Sequence, residues 1–107
     1  MIIQFKSAHN IKANEELQVP IIALLTEKLN RFSQNIARLD IHLSDENGNK
    51  DGMEDKRCLL EAHLDGKEPL IAKNNAQSYE QAADGAGDRL KTLLNSVHSR
   101  LGDHHAQ

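Results

Sequence analysis

Six histidines, one cysteine and two stretches in which acids and bases alternate with apolar residues are where this 107-residue chain could do chemistry. From Ile36 onward, Ala37, Leu39, Ile41 and Leu43 alternate with Arg38, Asp40, His42 and Ser44. Further on, Cys58, Leu60, Ala62 and Leu64 alternate with Arg57, Leu59, Glu61 and His63. A period of two is that of a strand with one apolar and one polar face. His42 and His63 can then be neighbours, with Asp40 and Glu61 beside them. Imidazole and carboxylate together are ligand types for zinc or copper. No closely spaced ligand motif accompanies them, and polar side chains are what the solvated face of an antiparallel sheet requires. The four residues therefore read as a wet sheet face, not a metal centre. Cys58 falls on the apolar side of its strand and reads as a buried thiol, not a nucleophile. It is the only cysteine, which rules out an intramolecular disulfide and a cysteine metal cluster. There is no glycine-rich phosphate loop and no Gly-x-Ser-x-Gly elbow. The expectation is a non-enzymatic protein without metal or cofactor.

The elements that position these residues follow from periodicity. Tyr79, Ala82, Ala83, Ala86, Leu90, Leu93, Leu94, Val97 and Leu101 recur at steps of three and four, so Gln77 to Leu101 is predicted to be a helix with one buried side. Gly87 lies at the edge of that stripe, where a missing side chain permits a close approach, and Gly102 is expected to end the helix. Met1 to Lys6 reads as a short strand. Asn14 is the expected N-cap of a helix running to about Ser33 through Leu17, Ile21, Leu24, Leu25, Leu29 and Phe32. Pro20 interrupts its hydrogen-bond ladder, and we expect a helix that begins before it and is irregular there. Asp45 to Asp55 is an acidic hairpin loop, Asp65-Gly66 a tight turn, and Glu68 to Lys73 a fourth strand. The order is strand, helix, strand, strand, strand, helix. A right-handed crossover followed by two hairpins gives an α+β two-layer sandwich, a four-stranded mixed sheet with both helices on one face.

Bulk properties bound the rest. The length suits one domain, residues 1–107, with 102–107 as a flexible tail. The net charge of −3 is unlike that of most nucleic-acid binders, but a basic flank can exist on an acidic protein. No stretch resembles a signal peptide or a membrane span, so a cytoplasmic protein that contacts no membrane is expected. On the first helix Lys28 and Arg31 lie one turn apart. On the last, Arg89 and Arg100 share one flank of the apolar stripe, about 16 Å apart, and Lys91 and His98 lie on the other. Two adjacent helices with basic flanks can hold phosphates. The plainer alternative is an intrahelical Glu27–Arg31 pair and basic side chains that snorkel around an apolar stripe.

The element order, together with Tyr79-Glu80-Gln81-Ala82-Ala83-Asp84-Gly85, Asp88-Arg89-Leu90 and Leu93-Leu94, resembles the ribosome hibernation promoting factors. These are also called ribosome-associated inhibitors or sigma-54 modulation proteins. Leu70-Ile71-Ala72 and Phe32 fit the same pattern. The resemblance is to the short, single-domain form, with a fold related to double-stranded RNA-binding domains. It implies binding to the small ribosomal subunit at its decoding region through 16S-type ribosomal RNA, stalling translation under stress. No DNA partner and a free protein that is monomeric are expected. The resemblance also places RNA contacts at Lys28, Arg31 and Arg89, with Lys91 and Arg100 as looser matches. The chain departs from close relatives in the Ser96-Val97-His98-Ser99-Arg100 end of its last helix, in Pro20 and in its long acidic loop. The alternative is a protein-interaction or regulatory module on the same fold that no longer binds ribosomal RNA.

Overall fold

The computed structural model describes residues 1–6, 15–45 and 56–106, with side chains described for 1–6, 16–45 and 56–97. Asn14, the connection 7–13 and nearly all of the acidic loop lie outside the described residues, as do the side chains of His98, Arg100, His104 and His105. The elements are β1 (Ile2–Phe5), α1 (Glu15–Lys28), a 3₁₀ turn (Asn30–Phe32), β2 (Ile36–Asp45), β3 (Lys56–Leu64), β4 (Leu70–Ala76) and α2 (Tyr79–Ala106). The sheet order is β1-β2-β3-β4, with β1 parallel to β2 and the other pairs antiparallel. The expected α+β sandwich is what forms.

Both helices cover one face of the sheet. Leu39, Ile41 and Leu43 of β2, Cys58, Leu60 and Ala62 of β3 and Ala72 of β4 are buried against Ile21, Leu25 and Leu29 of α1 and Ala82, Ala83, Ala86, Leu90 and Leu94 of α2. Alanines where α2 crosses the sheet keep the layers close. Gly87 extends that close contact to α1, because a Cβ there would meet Lys28 Cδ at 2.8 Å and Leu25 Cδ2 at 3.0 Å. The near neighbours are side chains of α1. Ser78 caps α2, accepting from the Gln81 amide at 3.1 Å. Burial pushes the Cys58 thiol up to about 12, so the group stays protonated and inert at neutral pH.

Five details differ from the sequence expectation, the first being that α1 ends at Lys28 and the 3₁₀ turn Asn30–Phe32 replaces the rest of the helix expected to reach about Ser33. Ala37 is exposed, and Ile36 takes the buried place. The ladder pairs Ile36 with Leu64 and Arg38 with His63, so one extra residue of β2 is accommodated there as an irregularity that flips the alternation. The fourth strand runs later than Glu68 to Lys73, because Asn74, Asn75 and Ala76 pair with Cys58, Arg57 and Lys56. Helix α2 passes through Gly102 to Ala106. Glycine costs a helix about 1 kcal/mol but does not by itself stop one. Asp40, expected on a wet face, is fully buried. The early start of α1 holds, with Pro20 inside the helix.

Leu90 has no exposed surface and joins α2 to the shared core. Leu90→Ala should lower the unfolding free energy by about 2–5 kcal/mol, through lost burial and the cavity left behind. Urea denaturation with an unchanged m-value is the check.

Candidate nucleic-acid interface

The first helix ends with Lys28 turned toward α2, where Asp84 and Asp88 are one turn apart. Its ammonium lies 2.8 Å from Asp84 Oδ1 and 2.6 Å from Asp88 Oδ1, and its side chain is only 17% exposed. Hydrogen bonds to Asp84 and then Asp88 outweigh the opposing effect of burial and raise its pKa. Lys28 is thus a charge shared between two carboxylates. Arg31, in the 3₁₀ turn, is exposed, its guanidinium 5.4 Å from the centroid of the Phe32 ring. Arg89 donates from Nη1 to the Lys73 carbonyl at 3.1 Å, which places it on the flank of α2 nearest β4. Lys91 lines a groove between the helices with Leu24, Glu27 and Lys28. The structure therefore brings Lys28 and Lys91 together, with acids among them, and sets Arg89 on the other side of α2.

The opposite sheet face holds a second cluster. Asp40 has a side-chain exposure of 1%, although it projects away from the helices. Lys6 Nζ reaches its Oδ2 at 3.3 Å, and Arg38 Nε lies 3.1 Å from Oδ1 as an ion contact without hydrogen-bond alignment. Burial pushes the Asp40 pKa up, but the close contacts and positive charges of Lys6 and Arg38 prevail and hold it below the ordinary carboxylate value. His63 Nε2 sits 3.2 Å from both Asp40 Oδ2 and Arg38 Nη2. In one neutral tautomer that nitrogen donates to the carboxylate; in the other it accepts from the guanidinium. His42 Nε2 is 3.3 Å from Glu61 Oε1. Sequence pattern brought these residues together but missed the burial, because alternation does not show that Lys6 and Arg38 fold over the carboxylate.

Asp40, Glu61 and His63 offer ligand atoms within 4.8 Å of one another, the best metal-ligand geometry among the described residues. Lys6 and Arg38 already supply the positive charge that a dication would bring, so the donor set is better suited to its present partners than to a metal.

Residues 4–102 match the family model described as sigma 54 modulation protein / S30EA ribosomal protein. The chain belongs to this family. The hibernation-factor resemblance of the α2 motif is thereby borne out. Among solved structures, the N-terminal domain of Protein Y from Thermus thermophilus superposes with a TM-score of 0.70 at 19% identity, covering 91% of this chain and 99% of that one. A ribosomal subunit interface protein from Coxiella burnetii gives 0.68 at 18% identity, covering 92% and 99%. At these identities the likeness is one of fold. No curated protein matches in sequence.

In this S30EA-family member the lowered pKa of Asp40 has a definite consequence for acid stability. The ionised carboxylate favours the fold at pH values above its unfolded pKa of about 3.9, and that contribution is lost as pH falls through the lower folded value. Asp40→Asn should remove this part of the acid transition. It should also cost about 1–3 kcal/mol at pH 7, by leaving Lys6 and Arg38 without their counter-charge. Thermal melts of both proteins from pH 2 to 7 test this.

Proposed function

We propose that this protein is a ribosome hibernation factor. It binds the small ribosomal subunit at the decoding region through ribosomal RNA and holds translation off under stress. The observation that carries the reading is the family match, which runs over residues 4–102, from the end of β1 through most of α2. The Coxiella burnetii relative, named a ribosomal subunit interface protein, supports the same class of partner. Inhibition on this reading is occupation: the protein fills a site that messenger and transfer RNA need, and no bond is made or broken. It acts in the cytoplasm, as a monomer when free, without a cofactor and without DNA or membrane partners.

Phosphate contacts on the helical side come from Arg31, Arg89 and Lys91, whose side chains are exposed. Arg100, expected from the sequence as a further contact, has its side chain outside the described residues. Lys28 contributes less, because an RNA phosphate would have to compete with Asp84 and Asp88 for its ammonium. Its main work is to tie α1 to α2.

The test is co-sedimentation of the purified protein with small subunits across a salt series. Association should weaken steeply with salt, each neutralised phosphate adding about 0.7–0.9 to the slope of log K against log salt. Arg89→Glu combined with Lys91→Glu should lower the affinity at least about tenfold and flatten that slope by about two. No association at low salt would overturn the reading. A partner retained from nuclease-treated extract, without RNA, would favour the protein-interaction module instead.

A further inference from the structure

Among the described side chains, the open sheet face carries a charge opposite in sign to that of the helical layer. Strand register arranges its side chains in rows across the sheet. Ile2, Arg38 and His63 form one row, and Gln4, Asp40, Glu61 and Ile71 the next. His42, Leu59 and Lys73 form a third, which Lys6 joins by continuing β1 past Phe5 beside Ile41, and Ser44, Arg57 and Asn75 a fourth. Rows lie about 6.7 Å apart, and the outer strands about 14 Å apart. Among the described side chains of this face, Lys6, Arg38, Arg57 and Lys73 stand with two acids, Asp40 and Glu61. Among helical residues with described side chains, Lys28, Arg31, Arg89 and Lys91 face five acids: Glu16, Glu27, Glu80, Asp84 and Asp88.

Depth sharpens the contrast. Asp40 is 1% exposed, whereas Lys6, at 50%, and Arg38, at 40%, sit over it. An approaching anion meets the cations first and the carboxylate only through them. Lys73, on edge strand β4, is exposed. The three aromatic residues, Phe5, Phe32 and Tyr79, all lie elsewhere: Phe5 pairs with helix-facing Ile41, Phe32 is in the 3₁₀ turn and Tyr79 starts α2. The face can therefore neutralise a phosphodiester backbone but has no ring on which to stack a base.

We propose that the open sheet face is a second RNA-backbone contact surface, with Lys6, Arg38 and Lys73 as its phosphate contacts, so that the protein is held by RNA on both sides of the sandwich. The proposal rests on the RNA-binding reading above and adds a surface to it. Sequence specificity is not expected from it, since cations on a flat sheet register charge and spacing, not base edges.

The experiment uses the full chain with two probes in parallel: intact small subunits and the protein-free RNA extracted from them. The variants are Lys73→Glu, Glu61→Gln, the Arg89→Glu/Lys91→Glu pair and the triple change. Lys73→Glu should weaken binding to both probes about fivefold to tenfold and reduce the salt slope by about one or more. Glu61→Gln, which removes a negative charge but keeps a hydrogen-bonding group beside His42, should strengthen binding about twofold. The triple change should lose the product of the separate factors, as expected of two independent surfaces. Unchanged melting curves establish that the variants fold. If Lys73→Glu and Glu61→Gln leave affinity untouched while the helix pair abolishes it, the sheet-face proposal is overturned and the hibernation reading stands. If Lys73→Glu weakens subunit binding but the extracted RNA is not bound at all, the face meets an acidic protein surface, and the proposal is again overturned. If the unmodified protein binds neither probe, the functional reading falls, and this proposal with it.

Discussion

The close approach of α2 to everything it covers governs the rest of the molecule. Ala82, Ala83 and Ala86 have no exposed surface, and at Gly87 even a methyl group would press on Leu25 and Lys28. Small residues bury little apolar area each, about 25 cal/mol for every Å² removed from water. Their benefit is that larger neighbours, Leu25, Leu60 and Leu90 among them, can interdigitate across a narrow gap at native packing density. The same narrowness brings Lys28 of α1 within reach of two carboxylates of α2. A long side chain there would hold the helices apart and leave three charges to find partners in water. Packing and electrostatics are thus one constraint in this corner of the fold, and it determines which cation is committed to structure.

A comparable economy operates on the other side of the sheet. A fully buried carboxylate is costly unless its charge is answered, and the charge of Asp40 is answered by Lys6 and Arg38, with His63 in hydrogen-bond contact, from three different strand segments. Lys6 follows the parallel edge strand β1, Arg38 belongs to β2 and His63 to β3. The cluster therefore ties together the parallel and antiparallel halves of the sheet on the face that no helix covers. The ends of Lys6 and Arg38 remain in contact with solvent, which limits the desolvation they suffer. One buried acid thus organises several partly exposed bases into a layer above it.

Much of this was legible in the sequence. Steps of three and four fix α2, and alternation fixes β2 and β3, because each buries one continuous side. What alternation cannot register is an inserted residue: Ala37 reads as inward until the irregularity beside Ile36 reverses it. Residues 74–76 read as a polar link because Asn74 and Asn75 have low strand propensity, yet pairing with β3 overrides it. Ser78 with Gln81 three residues later carried the signature of a capping pair and marks the start of α2 more closely than Gln77 does. For the basic residues, sequence spacing placed Arg89 and Lys91 on opposite flanks of α2, as the structure does. It could not foresee that Lys28 would be enclosed by Asp84 and Asp88, since that depends on how two helices dock and not on either helix alone.

A net charge of −3 and a polyanionic partner are compatible only if like charges are kept apart in space. The Debye length is about 8 Å at physiological salt, shorter than the path through solvent from the outer surface of α2 to the open sheet face. The acids on the outer surface of α2 are therefore largely screened from an anion at the open sheet face. Acids within a few Å of a cation are not screened from it, and Lys28 is the instance. What decides the contribution of each basic residue is accordingly the balance of charge within a few Å of it and not the overall charge: Lys28 stands between two carboxylates, whereas Lys6 and Arg38 outnumber the one they share. By that measure Arg31, Arg89 and Lys91 on one side, and Lys6, Arg38 and Lys73 on the other, are the residues from which phosphate affinity can be built.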